Sequence, residues 1–360
     1  MTVYLITLLI TVLFSRIAER RFDSDEVIND KYEEYKENGT GIYYLFAAGA
    51  LICVSGLRYC VGTDYWHYYH DYKYYINRLL HSIVTLDEPG FGLLSWIVTR
   101  FVNDGAVVIF ASALVTIALP MSVFYNHTKK YALTSALFIL MGFWHGSFNG
   151  VRQYLAAAVL FCGYRSLKEG DFRKYCAFVL AAFLFHRSAI VMLFLFFICH
   201  RKITGLRIFL TAAVLGLSSL LSQYSFLAAG WIMDKQYSLS NGYTSHRVNA
   251  LRVAAACIPS VIFLVLYWGE ELSETETFYL NILIIHAAIR LFTMNSALLY
   301  RISIYTTAFA ILAIVGLLDG LTDSNKRVIT AGLIAMHLGM WWYELSSTAT
   351  LNHFQWIWQR

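Results

Sequence analysis

A chain of 360 residues with 58% hydrophobic and only 14% charged residues falls well short of the roughly 25% charge of a soluble domain, which excludes a water-facing globule. Only 3 prolines and 22 glycines interrupt it, favouring long membrane helices over a barrel of short alternating strands. A formal charge of +5 with no long basic run argues against nucleic acid as a partner.

Apolar runs long enough to cross, or nearly cross, a ~30 Å hydrocarbon core fall at about 1–18, 41–57, 105–124, 131–147, 150–167, 207–222, 250–268, 277–293, 298–317 and 328–343. The first is followed by Glu19-Arg20-Arg21 without a small-residue cleavage site, so it is expected to be a span and not a removed signal peptide. A polar insert at about 19–40 follows it. The stretch 91–102 is short for a span, and 175–199 is broken by His186-Arg187-Ser188. The cysteines Cys53, Cys60, Cys162, Cys176, Cys199 and Cys257 form no CxxC pair and read as small buried hydrophobes. Neither a metal site nor a cofactor is expected.

Loop charge orders these segments. Arg16/Arg20/Arg21, Lys129-Lys130, Lys168/Arg173/Lys174, Arg201-Lys202 and Lys326-Arg327 belong together on the cytoplasmic side. That parity makes 91–102 a re-entrant or surface helix and 175–199 a hairpin with His186 at its outer apex. The expected architecture is all-α: one transmembrane domain over 1–360, a bundle of about twelve spans with both termini outside. Its cytoplasmic insert lies at about 19–40, an outer aromatic segment at about 58–104 and an outer loop at about 223–249. On this topology the outer face holds ten arginines (Arg58, Arg78, Arg100, Arg152, Arg187, Arg247, Arg252, Arg290, Arg301 and Arg360) against two lysines, Lys73 and Lys235, while the inner face holds eight of each. Positive-inside sorting does not distinguish Arg from Lys, so the outer excess asks for another cause. Planar, bidentate recognition of phosphate supplies one.

Four motifs lie on that outer face. In Arg58-Tyr59-Cys60-Val61-Gly62-Thr63-Asp64-Tyr65, the Gly-Thr-Asp turn opens a helix, with Thr63 or Asp64 as N-cap. Tyr65, Tyr68 and Tyr72 then follow at helical spacing as rings for sugar faces; plain interfacial anchoring is the bland alternative. In Asn149-Gly150-Val151-Arg152-Gln153, Arg152 sits near a positive helix N-terminus where an anion is favoured, unless it merely snorkels to headgroups. Phe185-His186-Arg187-Ser188-Ala189 puts a histidine where it could contact phosphate or take a proton; a satisfied core histidine is the equal alternative. Arg290, Asn295 and Arg301, with Tyr305 one turn beyond Arg301, repeat the logic of Arg152.

In this order, Arg58…Gly62-Thr63-Asp64-Tyr65…Tyr68…Tyr72, Asn149…Arg152-Gln153, Phe185-His186…Ser188-Ala189 and Arg301…Tyr305 resemble the EpsG family of exopolysaccharide and O-antigen (Wzy-type) polymerases, over roughly residues 40 to 310. The resemblance implies the all-helical architecture shared by lipid-linked glycosyltransferases of the C superfamily. It also implies a metal-independent transfer, in the bacterial inner membrane, within a cavity open to the periplasm or exterior. A glycan on undecaprenyl diphosphate would pass to the non-reducing end of a lipid-linked repeat unit, with membrane lipid around it and room for a chain-length co-polymerase as partner.

The residue roles are physical inferences. Charge grows on the departing diphosphate, so fixed guanidiniums stabilise the transition state more than the ground state. Arg58, Arg152, Arg301 and Arg290 are the expected diphosphate ligands, Arg152 acting directly in catalysis. Asp64 or His186 is the expected general base, and Tyr65, Tyr68, Tyr72, Asn149, Gln153 and Tyr305 the expected sugar contacts. The alternatives are a flippase or transporter of the same lipid-linked oligosaccharide, which should show inverted repeats, a membrane O-acyltransferase built on His186, and an O-antigen ligase of similar chemistry.

Overall fold

The structure, a computed structural model, describes residues 1–28, 38–201 and 248–360. The expected span at 207–222 and nearly all of the loop at 223–249 lie outside the described residues, as do Arg247 and Lys235.

The described chain is helical nearly throughout. In order come α1 (Thr2–Ile28), α2 (Asn38–Gly56), α3 (Tyr65–Ile76), α4 (Leu80–Val84), α5 (Pro89–Thr99), α6 (Gly105–His127), α7 (Tyr131–Leu140), α8 (Phe143–Gly146), α9 (Val151–Phe161), α10 (Tyr164–Lys168), α11 (Phe172–Phe185) and α12 (Leu193–Cys199). After the undescribed stretch come α13 (Ala250–Leu266), α14 (Glu274–Phe292), α15 (Ala297–Tyr300), α16 (Ile304–Asp319), α17 (Asp323–Ser347) and α18 (Ala349–Asn352). Among the described residues three helical stretches are long and apolar enough to cross a membrane: Thr2–Phe22, Gly105–His127 and Ala297–Asp319. Shorter apolar helices of 10–17 residues, such as Tyr131–Leu140, Val151–Phe161 and Ala250–Leu266, pack among them. The protein is an all-α membrane protein.

Several expected boundaries move, for local reasons. The first helix does not stop at Ala18 but runs to Ile28. The run 131–147 is two helices, because Gly142 adopts φ +87° and ends α7 in the left-handed conformation that glycine accepts most readily. The run 150–167 likewise breaks at Cys162-Gly163, where both backbone N–H groups turn back to Val159 and Leu160. The stretch 91–102 forms α5, started by Pro89 in its first turn. The break at His186 is a true reversal: Phe172 meets Phe196 with ring centroids 4.9 Å apart, and the Tyr175 hydroxyl donates to the Met192 carbonyl at 2.9 Å. A pair of two-residue strands, β1 (Arg58–Tyr59) and β2 (Gln355–Trp356), is antiparallel and clips the end of the chain onto the segment after α2. All six cysteines are free thiols; Cys199 is buried as expected, whereas Cys53 and Cys60 are exposed.

The centre of the bundle is α9. Ala156, Ala157 and Ala158 are at most 1% exposed, and small side chains there let α6, α11 and α16 approach closely, which is how helices gain packing contacts in lipid. Phe161 meets Phe124 of α6 at 5.2 Å and Phe309 of α16 at 4.9 Å.

The two ends of the bundle differ in their lysine content. At one end of α1 the Tyr4 hydroxyl donates to the Leu351 carbonyl. About 22 Å along the same helix, at 1.5 Å per residue, Glu19 accepts from the Ala132 backbone and Lys129 lies over the Phe22 ring. The Glu19 end gathers Lys129 and Lys168, which bonds Tyr279, and the Lys326–Asp319 pair, along with the arginines of the Arg16–Glu19 and Arg165–Glu169 pairs. The Tyr4 end gathers Arg58, Arg152, Arg187, Arg252, Arg290, Arg301 and Arg360, joined through the contacts described next.

Candidate functional site

The motifs at the arginine end are fastened to one another. Gly62 has φ +102°, and a Cβ at that position would collide with the Phe148 carbonyl; only glycine lets the turn lie this close. There the Thr63 N–H donates to Asn149 Oδ1 at 2.6 Å, and Thr63 Oγ1 donates to the same oxygen at 3.1 Å. Gln153, one turn into α9, donates to the Arg301 carbonyl at 3.1 Å and reaches Ser188 Oγ at 3.5 Å. Ser188 in turn bonds the Tyr305 hydroxyl at 2.8 Å. All four motifs of the sequence therefore meet around the first turn of α9.

Two cavities flank that turn. The first, about 450 Å³, is lined by His145, Asn149, Tyr154, Arg252, Arg290, Tyr300, Arg301 and Glu344, among others. Its arginines come from three elements: α13, α14 and the 3-10 turn Arg301–Ser303. Glu344 accepts from Arg252 Nε at 2.5 Å and lies 3.1 Å from His145 Nε2. Arg290 donates to the Tyr300 hydroxyl at 2.5 Å and to Thr307 Oγ1 at 3.4 Å, while its Nε is buried without a partner among the described residues. The Arg301 guanidinium has no hydrogen bond or ion pair among the described residues; only its carbonyl is engaged. Three guanidiniums thus face one carboxylate: Arg252 pairs with it, Arg290 bonds only neutral hydroxyls, and Arg301 has no side-chain partner among the described residues. Such a cavity is built for an anion with several oxygens.

The second cavity, about 370 Å³, is lined by Tyr74, Tyr75, Asp87, Glu88, Phe91, Arg152, His186 and Arg187, among others. Glu88 is its hub. Its Oε2 accepts from Arg152 Nη1 at 2.7 Å; its Oε1 lies 2.6 Å from His186 Nδ1 and accepts from the Arg187 backbone at 3.3 Å. Arg187 pairs with Asp87. Burial alone would raise the Glu88 carboxyl; the His186 hydrogen bond and charge, then Arg152 and the Arg187 N–H, outweigh it and hold it below the usual carboxylate range. An ionised Glu88 requires the hydrogen on His186 Nδ1, so Nε2 carries the lone pair in the neutral ring.

The expected site residues are therefore distributed, not pooled. Arg290, Arg301 and Asn149 line the first cavity; Arg152 and His186 line the second. Arg58 lines neither: it is 3% exposed, donates to the Ser55 and Val61 carbonyls and lies over the Phe148 ring, so its charge holds the loop after α2. Asp64 lines neither cavity, and its Oδ1 lies 3.1 Å from Thr63 Oγ1. It stands at the N-cap position of α3 without a side-chain cap bond. Tyr65, Tyr68, Gln153 and Tyr305 are buried: the tyrosine stripe turns its first two rings into the protein because α3 lies on α5 and α6. Tyr72 is half-buried against the same cluster. Sequence reasoning missed Glu88, His145 and Glu344 and gave Arg252 no role. Acids and histidines isolated in the chain carry no local pattern, and only the packing of α5, α8 and α17 brings them to their partners.

Fold and site together define an all-helical membrane protein with an arginine-lined, anion-attracting cavity at one end of its bundle. The sequence model of the EpsG family matches residues 41–357, and the chain belongs to that family. Membership ties the protein to exopolysaccharide biosynthesis and to the polymerase-type, glycosyl-transferring activity associated with the family. No curated protein and no solved structure matches it.

Proposed function

We propose that the protein is a polysaccharide polymerase of the bacterial inner membrane. It transfers a growing glycan from undecaprenyl diphosphate to the non-reducing end of a lipid-linked repeat unit, in a site open to the periplasm or exterior. The observation that carries this reading is the first cavity: three arginines against one carboxylate, with neither Arg290 nor Arg301 in an ion pair among the described residues and the Arg301 guanidinium without a hydrogen bond there. A diphosphate leaving group gains charge as the glycosidic bond breaks, and preorganised guanidiniums oppose that charge without reorganising. Arg290 and Arg301 are the diphosphate ligands; Arg252, paired to Glu344, completes the wall.

Guanidiniums in these positions do what a divalent cation does elsewhere, so the transfer is metal-independent. The reading extends to an architecture of about twelve spans resembling the C superfamily of lipid-linked glycosyltransferases, with a chain-length co-polymerase as partner. The gathering of Lys129, Lys168 and Lys326 at the opposite end supports the outward-facing site, because positive-inside sorting leaves that end in the cytoplasm.

The test is incubation of purified full-length protein with the lipid-linked repeat unit recovered from cells lacking the polymerase, in the presence of chelator. A ladder of elongated lipid-linked product is expected. Absence of elongation overturns the polymerase reading, and elongation only with divalent ions overturns the role of the arginines.

A further inference from the structure

The two cavities share the first turn of α9 as a wall, with Gly150 and Tyr154 facing the first and Arg152 the second. Their electrostatics differ. In the second, the carboxylates of Asp87 and Glu88 are matched by Arg187 and Arg152, each in an ion pair. No surplus positive charge awaits an anion there. A phosphate entering would have to displace Glu88 from both Arg152 and His186, whereas a neutral polyhydroxyl ligand needs no such exchange.

The walls suit such a ligand. Tyr74, 46% exposed, and Tyr75 stand edge to face with centroids 5.2 Å apart; Arg78 covers one face of Tyr74, and both rings contribute apolar surface with a polar rim to the cavity. Asp87 supplies a carboxylate acceptor for hydroxyls. His186 is held at Nδ1 by Glu88 at 2.6 Å, the arrangement in which an acid fixes the tautomer and orientation of a histidine base, and no partner for Nε2 occurs among the described residues.

We propose that this second cavity is the acceptor subsite, holding the terminal sugar of the lipid-linked repeat unit, and that Glu88 is the positioning residue that sets His186 to take the acceptor hydroxyl's proton. The proposal rests on the polymerase reading. In the step it describes, the acceptor oxygen forms a bond to the donor's anomeric carbon, and the bond from that carbon to the diphosphate oxygen breaks. The hydroxyl proton passes to His186 Nε2, and the electron pair leaves with the diphosphate into the arginine cavity. Arg152 balances the Glu88 charge and is a positioning residue too.

The experiment is two-substrate kinetics with the purified full-length protein in lipid nanodiscs. Extended lipid-linked polymer serves as donor, and the single repeat unit recovered from cells lacking the polymerase serves as acceptor. Tyr74→Ala, a change at an exposed ring that leaves folding intact, is expected to raise the acceptor KM about tenfold, the scale of a lost aromatic contact, with the donor KM within about twofold. Glu88→Gln is expected to lower kcat by about 100-fold at little-changed acceptor KM, on the scale of lost general-base catalysis, and Glu88→Asp to recover part of it. A Tyr74→Ala effect on the donor KM instead, or a Glu88→Gln protein of wild-type kcat, overturns the acceptor subsite. Wild-type protein that elongates nothing overturns the polymerase reading itself, so the two failures are distinguishable.

Discussion

Glu88 Oε2 accepts a hydrogen bond from Arg152 Nη1 at 2.7 Å, joining the start of α5 to the first turn of α9. The sequence places Arg152 at a helix N-terminus where an anion is favoured, and the fold supplies that anion from the chain itself. A guanidinium expected to await a phosphate is already engaged, and the excess of free positive charge moves to Arg290 and Arg301 on the other side of the turn.

That pairing predicts coupling. Arg152→Met alone should lower stability by about 2 kcal/mol, the scale of a hydrogen bond to a charged group left unmade. The double variant Arg152→Met/Glu88→Gln should lose clearly less than the sum of the single losses. Thermal unfolding of the detergent-purified proteins gives the cycle; strict additivity would show that the two side chains do not interact.

A pH dependence follows with a definite sign. The folded carboxyl of Glu88 is held below its ordinary value near 4.3, so its contribution is complete above that value and is lost as pH falls through the lower folded one. The stability difference between wild type and Glu88→Gln should be present at neutral pH and vanish in acid, read from unfolding temperatures across that range. A difference that grew on acidification would reverse the assignment.

Removing an anion ligand should cost rate, and at Arg301, whose guanidinium has no partner among the described residues, little stability. Arg301→Ala and Arg290→Ala should each slow chain growth by about 100-fold, on the scale of losing one transition-state donor. Arg301→Lys should recover little, because an ammonium lacks the fork. Product length against time on lipid-linked repeat units measures it, and a loss below threefold would remove that arginine from the site.

Arg58 and Gly62 should behave in the opposite way. Gly62→Ala meets the Phe148 carbonyl at a left-handed backbone position, and Arg58→Met leaves the Ser55 and Val61 carbonyls without their donor. Both should reduce the yield of monodisperse protein, with the protein that does fold keeping near-normal elongation per molecule. Size-exclusion profiles beside specific activity separate the two effects.

By itself the sequence determined the solvent, the helical class, the family and the end of the bundle where polar chemistry gathers. Those properties rest on sums over long stretches: the charge deficit, the apolar runs and the lysine-bearing loops each average over many residues and survive local error. The reversal at His186 was legible for the same reason, since one continuous helix would have put Arg201 on the wrong side. Only the tertiary structure decided which side chains share a cavity. Whether Tyr65 faces a ligand or a neighbouring helix, whether Arg58 holds a loop or a phosphate, and that Glu88 meets His186 across 98 residues, depend on how α3, α5 and α9 rotate about their axes as they pack. A rotation of one residue's 100° turns a side chain from wall to core, and no local pattern in the chain encodes it.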